Sequence, residues 1–350
     1  MLTATGAVTL RRVYFVCRCC RIGAYPLDFR LGVTDSTSHQ AQRLLCLAGS
    51  SWSFDRAAQH LREFCGLSVS DNKIREVCQR HGATAAAWQR DAAEAHQGFR
   101  KATGDIEFCT DGTTVNTTEG WREMRLGIFS KRHRGEPSTP DNWGKRKLPS
   151  PHGRVAFAAI EKSDRFGTRW GQWSRRLGIR DTSQITVLAD GASWIWEEAA
   201  MHFAGASGVL DIYHALEHVE QTAKILCGEG TPAAACWSAS ARGKLLSGGW
   251  PAISQHLAQA CKTFHKPAKR TSLRSLQGYL AKHSTRLGYA QRLAEGRAIG
   301  SGQVEGACKH VIGRRLKQTG ARWRVRRVNR MASLCCLAYS DHWDLYWASP

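Results

Sequence analysis

The sequence has little negative charge for its length. Its 29 Asp and Glu residues stand against 50 Lys and Arg residues, so the 350-residue chain carries a net charge of +21. A strongly basic surface attracts polyanions, and nucleic acid is the polyanion that such a chain is expected to meet. The charge balance therefore predicts a nucleic-acid partner.

Long apolar runs are also missing. No stretch approaches the roughly 20 residues that a membrane-spanning helix needs, which argues against a membrane protein. The first residues, MLTATGAVTLRRVYFV, lack the basic, apolar and small-residue regions of a secretory signal. We therefore expect a cytoplasmic protein without a membrane partner. With 42% hydrophobic residues the chain can form real cores, and its length predicts two or three modules.

The sequence also lacks a complete set of zinc ligands. Most of the thirteen cysteines stand singly in apolar patterns, as small buried side chains do in a reducing compartment. The exception is the cluster of Cys17, Cys19 and Cys20, which follows a strand predicted over residues 6–16. A CxxC is half of a tetrahedral zinc site, and the chain has no second CxxC. The sequence thus predicts a broken zinc knuckle, inert thiols and a poorly anchored N-terminus.

Three short helices are predicted between Ser38 and His81. Ser53 and Ser70 are placed to cap the second and third of them, and Gly66 ends the second. Three helices with a tight turn are typical of a helix-turn-helix, but also of a plain helical bundle. In the first case the third helix would turn the following side chains toward DNA: Lys73, Arg75, Gln79 and Arg80.

An α/β pattern begins after Asp105. Strands are predicted over residues 106–112, 121–129 and 154–162, then over 185–190 and 208–213, with helices over 168–178, 193–203 and 214–226. The connection 131–153 carries four prolines and is expected to be exposed and mobile. This order predicts a ribonuclease H-like mixed sheet with helices on both faces. Residues 228–298 are predicted to be helical and to interrupt it.

Three acidic residues are candidates for a metal site: Asp111, Asp190 and Glu305. Each aspartate ends a predicted strand and precedes a glycine, where the backbone of an open α/β sheet can approach a ligand. Converging carboxylates bind the divalent cations that assist phosphodiester chemistry. The alternatives are ordinary ones, since Asp-Gly is common in turns and caps and Glu305 can pair with Lys309.

A second motif, His214-Ala-Leu-Glu217-His218, matches the H-x-x-E-H arrangement of some zinc peptidases. Nothing downstream supplies a third metal ligand, so the metallopeptidase hypothesis is the weaker of the two.

Residues 309–330 contain nine Lys and Arg residues and no acid. A run of charge is often only a solvated face, but one this unbalanced favours contact with a phosphate backbone. The side chains predicted to contact DNA are Lys309, Arg314, Arg315, Lys317, Arg322, Trp323 and Arg324.

Several segments together resemble a known family. DGTTVNTTEGWREMRLG, VLADGASWIW, LDIYHALEHV and above all GSGQVEGACKHVIGRRLKQTGARW are similar to the DDE transposases of bacterial insertion sequences, of the Kra type, from about Thr9 to Trp347. The resemblance implies that Asp111, Asp190 and Glu305 are catalytic acids that hold Mg²⁺ or Mn²⁺. It also implies partners in the element ends and the target DNA, assembly as a homo-oligomer on DNA, and a place at the bacterial nucleoid.

The resemblance also implies a domain order. Residues 1–36 correspond to a β-rich remnant of a zinc-ribbon-like module, and 37–100 to a helix-turn-helix-like DNA-binding region. Residues 101–227 and 299–350 correspond to the two parts of the ribonuclease H-like core, and 228–298 to the helical insertion. Family members look longer at the N-terminus, with another CxxC, so the chain resembles a shortened copy. A catalytically silent DNA-binding remnant is the alternative to an active transposase.

Overall fold

The computed structural model of the chain describes residues 1–348. These residues form two compact units, which are considered separately. Unit 1 consists of residues 1–95, 114–122 and the described part of 309–350. Unit 2 consists of residues 96–113 and 123–308.

Unit 1 is mainly helical, with two small antiparallel hairpins near the N-terminus. Its strands are β1 (Leu2–Thr3), β2 (Gly6–Ala7), β3 (Phe15–Val16) and β4 (Gly23–Ala24). Its helices are α1 (Pro26–Arg30), α2 (His39–Ser51), α3 (Phe54–Cys65), α4 (Asp71–Asp91), α13 (Arg314–Leu316), α14 (Val325–Tyr339) and α15 (Trp343–Ala348). A single strand predicted over residues 6–16 was therefore wrong, because only its two ends pair.

The long helix α4 forms the centre of unit 1. It packs against α2, α3 and α14, and its buried face includes Ile74, Val77 and Cys78. Ser70 caps α4 by accepting a hydrogen bond from the Lys73 amide at 3.2 Å, as its position in the sequence predicts. Gly66 ends α3 with a φ of +65°, a left-handed conformation that glycine adopts readily.

Unit 2 is a mixed α/β structure around a five-stranded sheet. The strands are β5 (Asp105–Thr117), β6 (Gly120–Arg132), β7 (His152–Ala159), β8 (Ile185–Ala189) and β9 (Ser207–Leu210), in the spatial order β7-β6-β5-β8-β9. Two residues join β5 to β6, β6 pairs antiparallel with β7, and β5, β8 and β9 run parallel. The sheet is mixed, and the first and fourth of the predicted strands are neighbours, as expected.

The helices of unit 2 follow in chain order. They are α5 (Ala93–Lys101), α6 (Ser163–Arg176), α7 (Ser193–His202), α8 (Ile212–Cys227), α9 (Pro232–Thr263), α10 (Pro267–Lys282), α11 (Tyr289–Ala294) and α12 (Gly302–Ala307). Helix α5 begins in unit 1, and α9 is kinked at Gly249, just before Pro251. No helix among residues 1–348 is both long and apolar enough to cross a membrane.

Aromatic side chains fill the space between the sheet and helices α6 and α7. Phe108 of β5 lies 4.7 Å from Phe129 of β6 and 4.8 Å from Trp170 of α6, measured between ring centroids. Trp170 is fully buried, and Phe203 just after α7 packs against the same rings. This core holds β5 and β8 side by side and so supports the residues at their ends.

A sequence prediction about the end of unit 2's sheet differs from the structure. The fifth strand was predicted to extend to Tyr213, but β9 ends at Leu210 because the Asp211 carboxylate caps α8. The connection 131–153, for which mobility stays a prediction, contains a short 3₁₀ turn and is hydrogen-bonded to the α11 region. Gly135 donates its amide to Gly296 O at 2.8 Å, and Ser138 donates to Leu293 O at 2.9 Å.

The crossing of α4 and α14 gives a prediction about stability. A Cβ at Gly82 would lie 2.3 Å from the carbonyl oxygen of Arg330, a backbone atom that cannot move aside cheaply. We expect Gly82→Ala to lower the free energy of unfolding of unit 1 by about 1–3 kcal/mol, the usual cost of overpacking. Urea denaturation would measure it. Gly243→Ala is the control, since no atom lies within 4 Å of a Cβ there, and an equal loss in both variants would contradict the prediction.

Candidate functional site

The register of two parallel strands brings two of the predicted acids together. Ile106 to Cys109 of β5 pair with Ile185 to Leu188 of β8. The same register continued by two residues sets Asp111 opposite Asp190, which directly follows β8. The strand of Asp111 was predicted to end at residue 112, but β5 continues to Thr117, so Asp111 lies in the middle of its strand. The carboxyl end of β8 is the kind of position at which open α/β sheets bind ligands.

Asp111 is the more constrained of the pair. Its Oδ1 accepts a hydrogen bond from the Gly112 amide at 2.6 Å, and its Oδ2 accepts a weaker one from the Cys308 thiol at 3.8 Å. Burial raises the pKa of Asp111, and the negative charge of Asp190 raises it further, whereas the Gly112 bond and His214 act in the opposite direction. Because the strand register sets Asp190 opposite Asp111, the two like charges are close enough to act on each other, and a cation bound there would relieve the repulsion.

Asp190 lies in a tight turn between β8 and α7. Its Oδ1 accepts a hydrogen bond from the Ala192 amide, and its carbonyl accepts one from Trp196 Nε1, both at 2.9 Å. Gly191 is needed here because a Cβ would lie 2.4 Å from the ring of Tyr279 on α10. The glycine was predicted to let the backbone approach a ligand; in the structure the group that lies close to it is Tyr279 of the helical segment.

The helical segment contributes two further groups to the Asp190 turn. Burial raises the pKa of Tyr279, and Asp190 adds to the effect, so the phenol stays protonated. Burial and Arg286 lower the pKa of His283 to about 4, so this imidazole is neutral at physiological pH. The sequence gives no local signal for either residue, because both come from a helix more than 80 positions away.

Glu305 is exposed, unlike the two aspartates, which are half-buried. Its helix, α12, nevertheless packs near Asp111, since Gln303 accepts a hydrogen bond from Ser130 of β6 at 2.9 Å and Cys308, just after α12, donates to Asp111 in the middle of β5. Residues three apart on a helix are neighbours, so Glu305 lies beside Cys308. The turn of π-helix at Cys308–Gly313 follows directly, and such turns are frequent at functional sites.

A buried aspartate that the sequence reasoning missed fixes α12 in place. Asp211 follows β9, and the β8–β9 register sets it beside Asp190. Its Oδ1 caps α8 by accepting from the Tyr213 and His214 amides, and its Oδ2 accepts from the Ser301 amide at 2.5 Å and from the Ser301 hydroxyl. Ser301 precedes α12 but does not cap it with its side chain, because its hydroxyl donates to Asp211. The signal was in the sequence, because VLD at 209–211 repeats the strand-then-aspartate pattern of VLAD at 187–190.

The donors at this edge suit a hard cation. Mg²⁺ prefers oxygen ligands and is commonly held by one or two carboxylates, with waters and substrate phosphates completing its shell. Asp111 and Asp190 supply such carboxylates and repel each other without a cation. Among residues 1–348, no three His, Cys, Asp or Glu side chains are grouped closely enough to hold a metal on their own. The residue pair thus fits Mg²⁺, with Glu305 outside the immediate group.

The H-x-x-E-H motif lies on the first turns of α8. His214 and Glu217 form an ion pair at 3.3 Å, and both side chains are exposed. The His218 ring lies against Tyr279, with 4.0 Å between centroids. In the described part of the chain, no third ligand joins them.

A basic groove of about 560 Å³ runs across unit 1. It lies between the start of α3, one face of α4, Thr118 at the hairpin tip, and the loop that precedes α14. Its cations are Arg75, Arg315, Arg322, Arg324 and Arg327, and its acids are Asp55 and Asp71. The groove therefore unites one cation of the predicted helix-turn-helix with four of the predicted basic segment.

Two of the predicted DNA-contacting residues form the wall of this groove. Arg315 is buried, donates from Nε to Gly49 O at 2.6 Å, and lies between the rings of Phe54 and Trp323. Trp323 is buried as well, and its Nε1 donates to Leu316 O at 3.0 Å. Both residues hold the loop in shape. The other predicted contacts are exposed: Lys309, Arg314, Lys317, Arg322 and Arg324.

A second cleft, of about 880 Å³, lies along the neighbouring face of α4. It is lined by all four residues that were predicted to face DNA, together with Arg327 and Arg330 of α14. Gln79 is nevertheless largely buried and donates its amide to Arg327 O at 3.1 Å, and Arg80 pairs with Asp35. Of the other two, Lys73 pairs with Glu76 at 3.5 Å, and Arg75 donates to the side chain of Asn72.

The cysteine cluster forms the turn between β3 and β4. Cys17 donates its amide to Ile22 O at 2.9 Å, and its own carbonyl accepts from the Arg21 amide at 3.0 Å. Backbone hydrogen bonds from Cys20 and Cys19 lower the pKa of the Cys17 thiol. Cys17, Cys19 and Cys20 are all exposed and reduced, and zinc binding stays a question for metal analysis.

The electrostatics of Asp111 predict a gain of stability when its charge is removed. A carboxyl whose pKa is raised by folding destabilises the folded state above its unfolded pKa, and the effect disappears below that value. We expect Asp111→Asn to raise the free energy of unfolding of the metal-free protein at about pH 7 and to lose this advantage toward about pH 3. Urea denaturation across pH would measure it.

Asp181→Asn is the matched control. Asp181 is exposed, and a hydrogen bond from Ser183 lowers its pKa, so removing its charge should slightly reduce stability at neutral pH. A loss of stability in Asp111→Asn at neutral pH would contradict the proposed repulsion.

The acid pair and the basic grooves are formed by residues of this chain alone. A comparison with protein-family models found no match, and a comparison with curated proteins found no significant similarity. Function is therefore inferred from the geometry of these sites.

Proposed function

We propose that the chain is a DNA transposase of the DDE type with a ribonuclease H-like core. The reaction is cleavage at the ends of an insertion sequence by water, followed by attack of the freed 3′-hydroxyl on target DNA. It is phosphoryl transfer without a covalent enzyme intermediate. The observation that carries the proposal is the β5–β8 register, because it sets Asp111 opposite Asp190, at the carboxyl end of β8, where such sheets bind ligands.

The topology of unit 2 supports the proposed core. Three consecutive strands, two of them paired antiparallel, are followed by two parallel strands that add beside the first, with helices between them. This is the order that a ribonuclease H-like sheet would have. The helical stretch α9 to α11 separates β9 from α12, as the proposed insertion would.

The roles of the acids follow from their surroundings. Divalent cations held by Asp111, Asp190 and Glu305 would activate the attacking oxygen and stabilise the leaving one. The Asp111 carboxylate accepts a hydrogen bond from the next amide of its strand, and the Asp190 carboxylate accepts one from an amide of its turn. Asp211 anchors the start of α12 and so keeps Glu305 at the same edge. The proposal requires the exposed Glu305 side chain to join the two aspartates when metal and DNA bind.

The basic surfaces of unit 1 support DNA as the partner. Two clefts share Arg75 and Arg327, and one of them adds the exposed cations Arg322 and Arg324. Guanidinium groups suit phosphate because their planar donors match its oxygens. Contacts of this kind bind any sequence and would hold the element ends and the target while the protein assembles as a homo-oligomer on DNA.

One observation favours a second function, a catalytically silent DNA-binding protein. Glu305 lies at the surface, and no three-ligand metal group exists among residues 1–348. If Glu305 does not join the aspartates on DNA, the basic clefts would bind DNA without cleavage. Metal-dependent nicking separates the two functions.

The acid pair gives the decisive prediction for catalysis. We expect the purified chain with Mg²⁺ or Mn²⁺ to nick duplexes that carry the terminal repeats of its element, and Asp111→Asn and Asp190→Asn each to abolish nicking. Duplex affinity should remain within about twofold of wild type, because neither residue lines the basic clefts. If either variant nicks DNA at the wild-type rate, the substituted residue is not part of the catalytic site. If the wild-type chain does not nick DNA, the catalytically silent DNA-binding protein is favoured.

The basic segment gives a separate prediction for binding. Replacing Arg322 and Arg324 by Ala should weaken binding to every duplex sequence and reduce the salt dependence of log K by about 2, since each phosphate contact contributes about 0.9. Fluorescence anisotropy at several salt concentrations would measure it. Arg43→Ala with Arg90→Ala is the control of equal charge, since these arginines pair with Asp344 and Asp91 away from the groove. Equal effects in both double variants would identify a non-specific charge effect.

A further inference from the structure

A large cleft in unit 2 lies away from the acids. It has a volume of about 940 Å³ and opens beside Ile106 at the start of β5 and Gln184 just before β8. Because β5 and β8 are parallel, this is the edge of the sheet opposite to Asp111 and Asp190. Five residues of strand separate Ile106 from Asp111, a distance of roughly 16 Å. The cleft is therefore distinct from the candidate acid site.

The cleft combines an apolar floor with a basic rim. The floor is formed by Phe99, Leu177 and Ile179, which are buried, and by half-buried Ile106. The rim carries four cations and a single acid, namely Arg100, Lys131, Arg175, Arg180 and Asp181. Lys and Arg make up 50 of the 350 residues of the chain but four of the eleven that line the cleft, so cations are concentrated here even for a basic protein.

Two of these cations are held in place before any ligand arrives. Lys131 donates from Nζ to Ala102 O at 2.7 Å and lies 5.0 Å above the ring of Phe99. Burial lowers its pKa, as expected for an ammonium group that lacks a neighbouring carboxylate. Arg100 donates to the carbonyl of Arg176. Groups fixed in this way lose little entropy when they bind an anion.

The other two cations have no carboxylate to neutralise them. Arg175, at the end of α6, and Arg180 are exposed, and no ion pair involving either occurs in the described residues. The one acid of the rim, Asp181, accepts a hydrogen bond from the Ser183 amide at 2.9 Å. The rim therefore carries an excess of positive charge that suits a ligand with more than one negative charge.

We propose that this cleft binds a phosphate-bearing ligand of nucleotide size. A volume of about 940 Å³ falls at the upper end of the ~300–1,000 Å³ range of small-ligand sites. Arginines recognise phosphate through paired donors, and the apolar floor accepts the uncharged sugar and base. The phosphates can belong to a DNA strand or to a free nucleotide. The DNA source rests on the proposed function, but binding here does not require cleavage or Asp111.

The test uses the full chain without divalent metal and two probes. A fluorescein-labelled duplex of about 20 base pairs, followed by anisotropy, reports on DNA, and ATP, followed by calorimetry, reports on a free nucleotide. The variant is Arg175→Ala with Arg180→Ala, both surface positions. We expect this double variant to bind one of the two probes with an affinity lower by about tenfold or more. Arg175→Lys with Arg180→Lys should restore part of the lost affinity. Weakened ATP binding identifies a free nucleotide, and weakened duplex binding identifies a DNA strand.

Arg165→Ala with Arg274→Ala is the matched control. Arg165 lies ten residues before Arg175 on α6, about 15 Å along the axis, and Arg274 lies on α10, so neither lines the cleft. Unchanged binding of both probes by the Arg175/Arg180 variant, or an equal loss in the control, would overturn the inference. Absence of nicking by the wild-type chain, with ligand binding at the cleft intact, would contradict the proposed function and leave this inference standing, so the two failures are distinguishable.

Discussion

The candidate acid site depends on the register between two parallel strands. If β8 were shifted by one residue against β5, its side chains would move to opposite faces of the sheet, and Val187 would leave the aromatic core. The core thus fixes the register, and the register sets Asp111 against Asp190. Residues that are far apart in sequence become neighbours because Phe108 and Val187 must both be buried.

Bringing two carboxylates together in a half-buried place is unfavourable without a cation. Burial and mutual repulsion raise the pKa of Asp111, and the nearby groups from α10 are a protonated phenol and a neutral imidazole, neither of which supplies a compensating charge. Such an arrangement is typical of functional sites, where stability is reduced in favour of chemistry. In contrast, Asp211 is fully engaged in hydrogen bonds and acts as a structural anchor.

Much of this could be predicted from the sequence. The strand positions in unit 2 and the Ser70 cap follow from local patterns, because apolar periodicity and capping residues act within a few positions. The pairing of the first and fourth strands was expected from the order of strands and helices along the chain. The fifth strand was predicted too long because its apolar run continues past Asp211 into α8. The contribution of Tyr279 and His283 could not be predicted, since it depends on how a distant helix packs.

The basic segment shows why composition alone misassigns roles. Arg315 and Trp323 belong to the same unbroken run of charge as Arg322 and Arg324, yet they face inward. A buried guanidinium must satisfy its donors, and Arg315 does so with the Gly49 carbonyl and two aromatic rings. Trp323 pairs by backbone hydrogen bonds with Asn116 and Thr118. The segment thus uses some of its residues to build the loop, and the remaining arginines, Arg322 and Arg324 among them, are exposed on its surface.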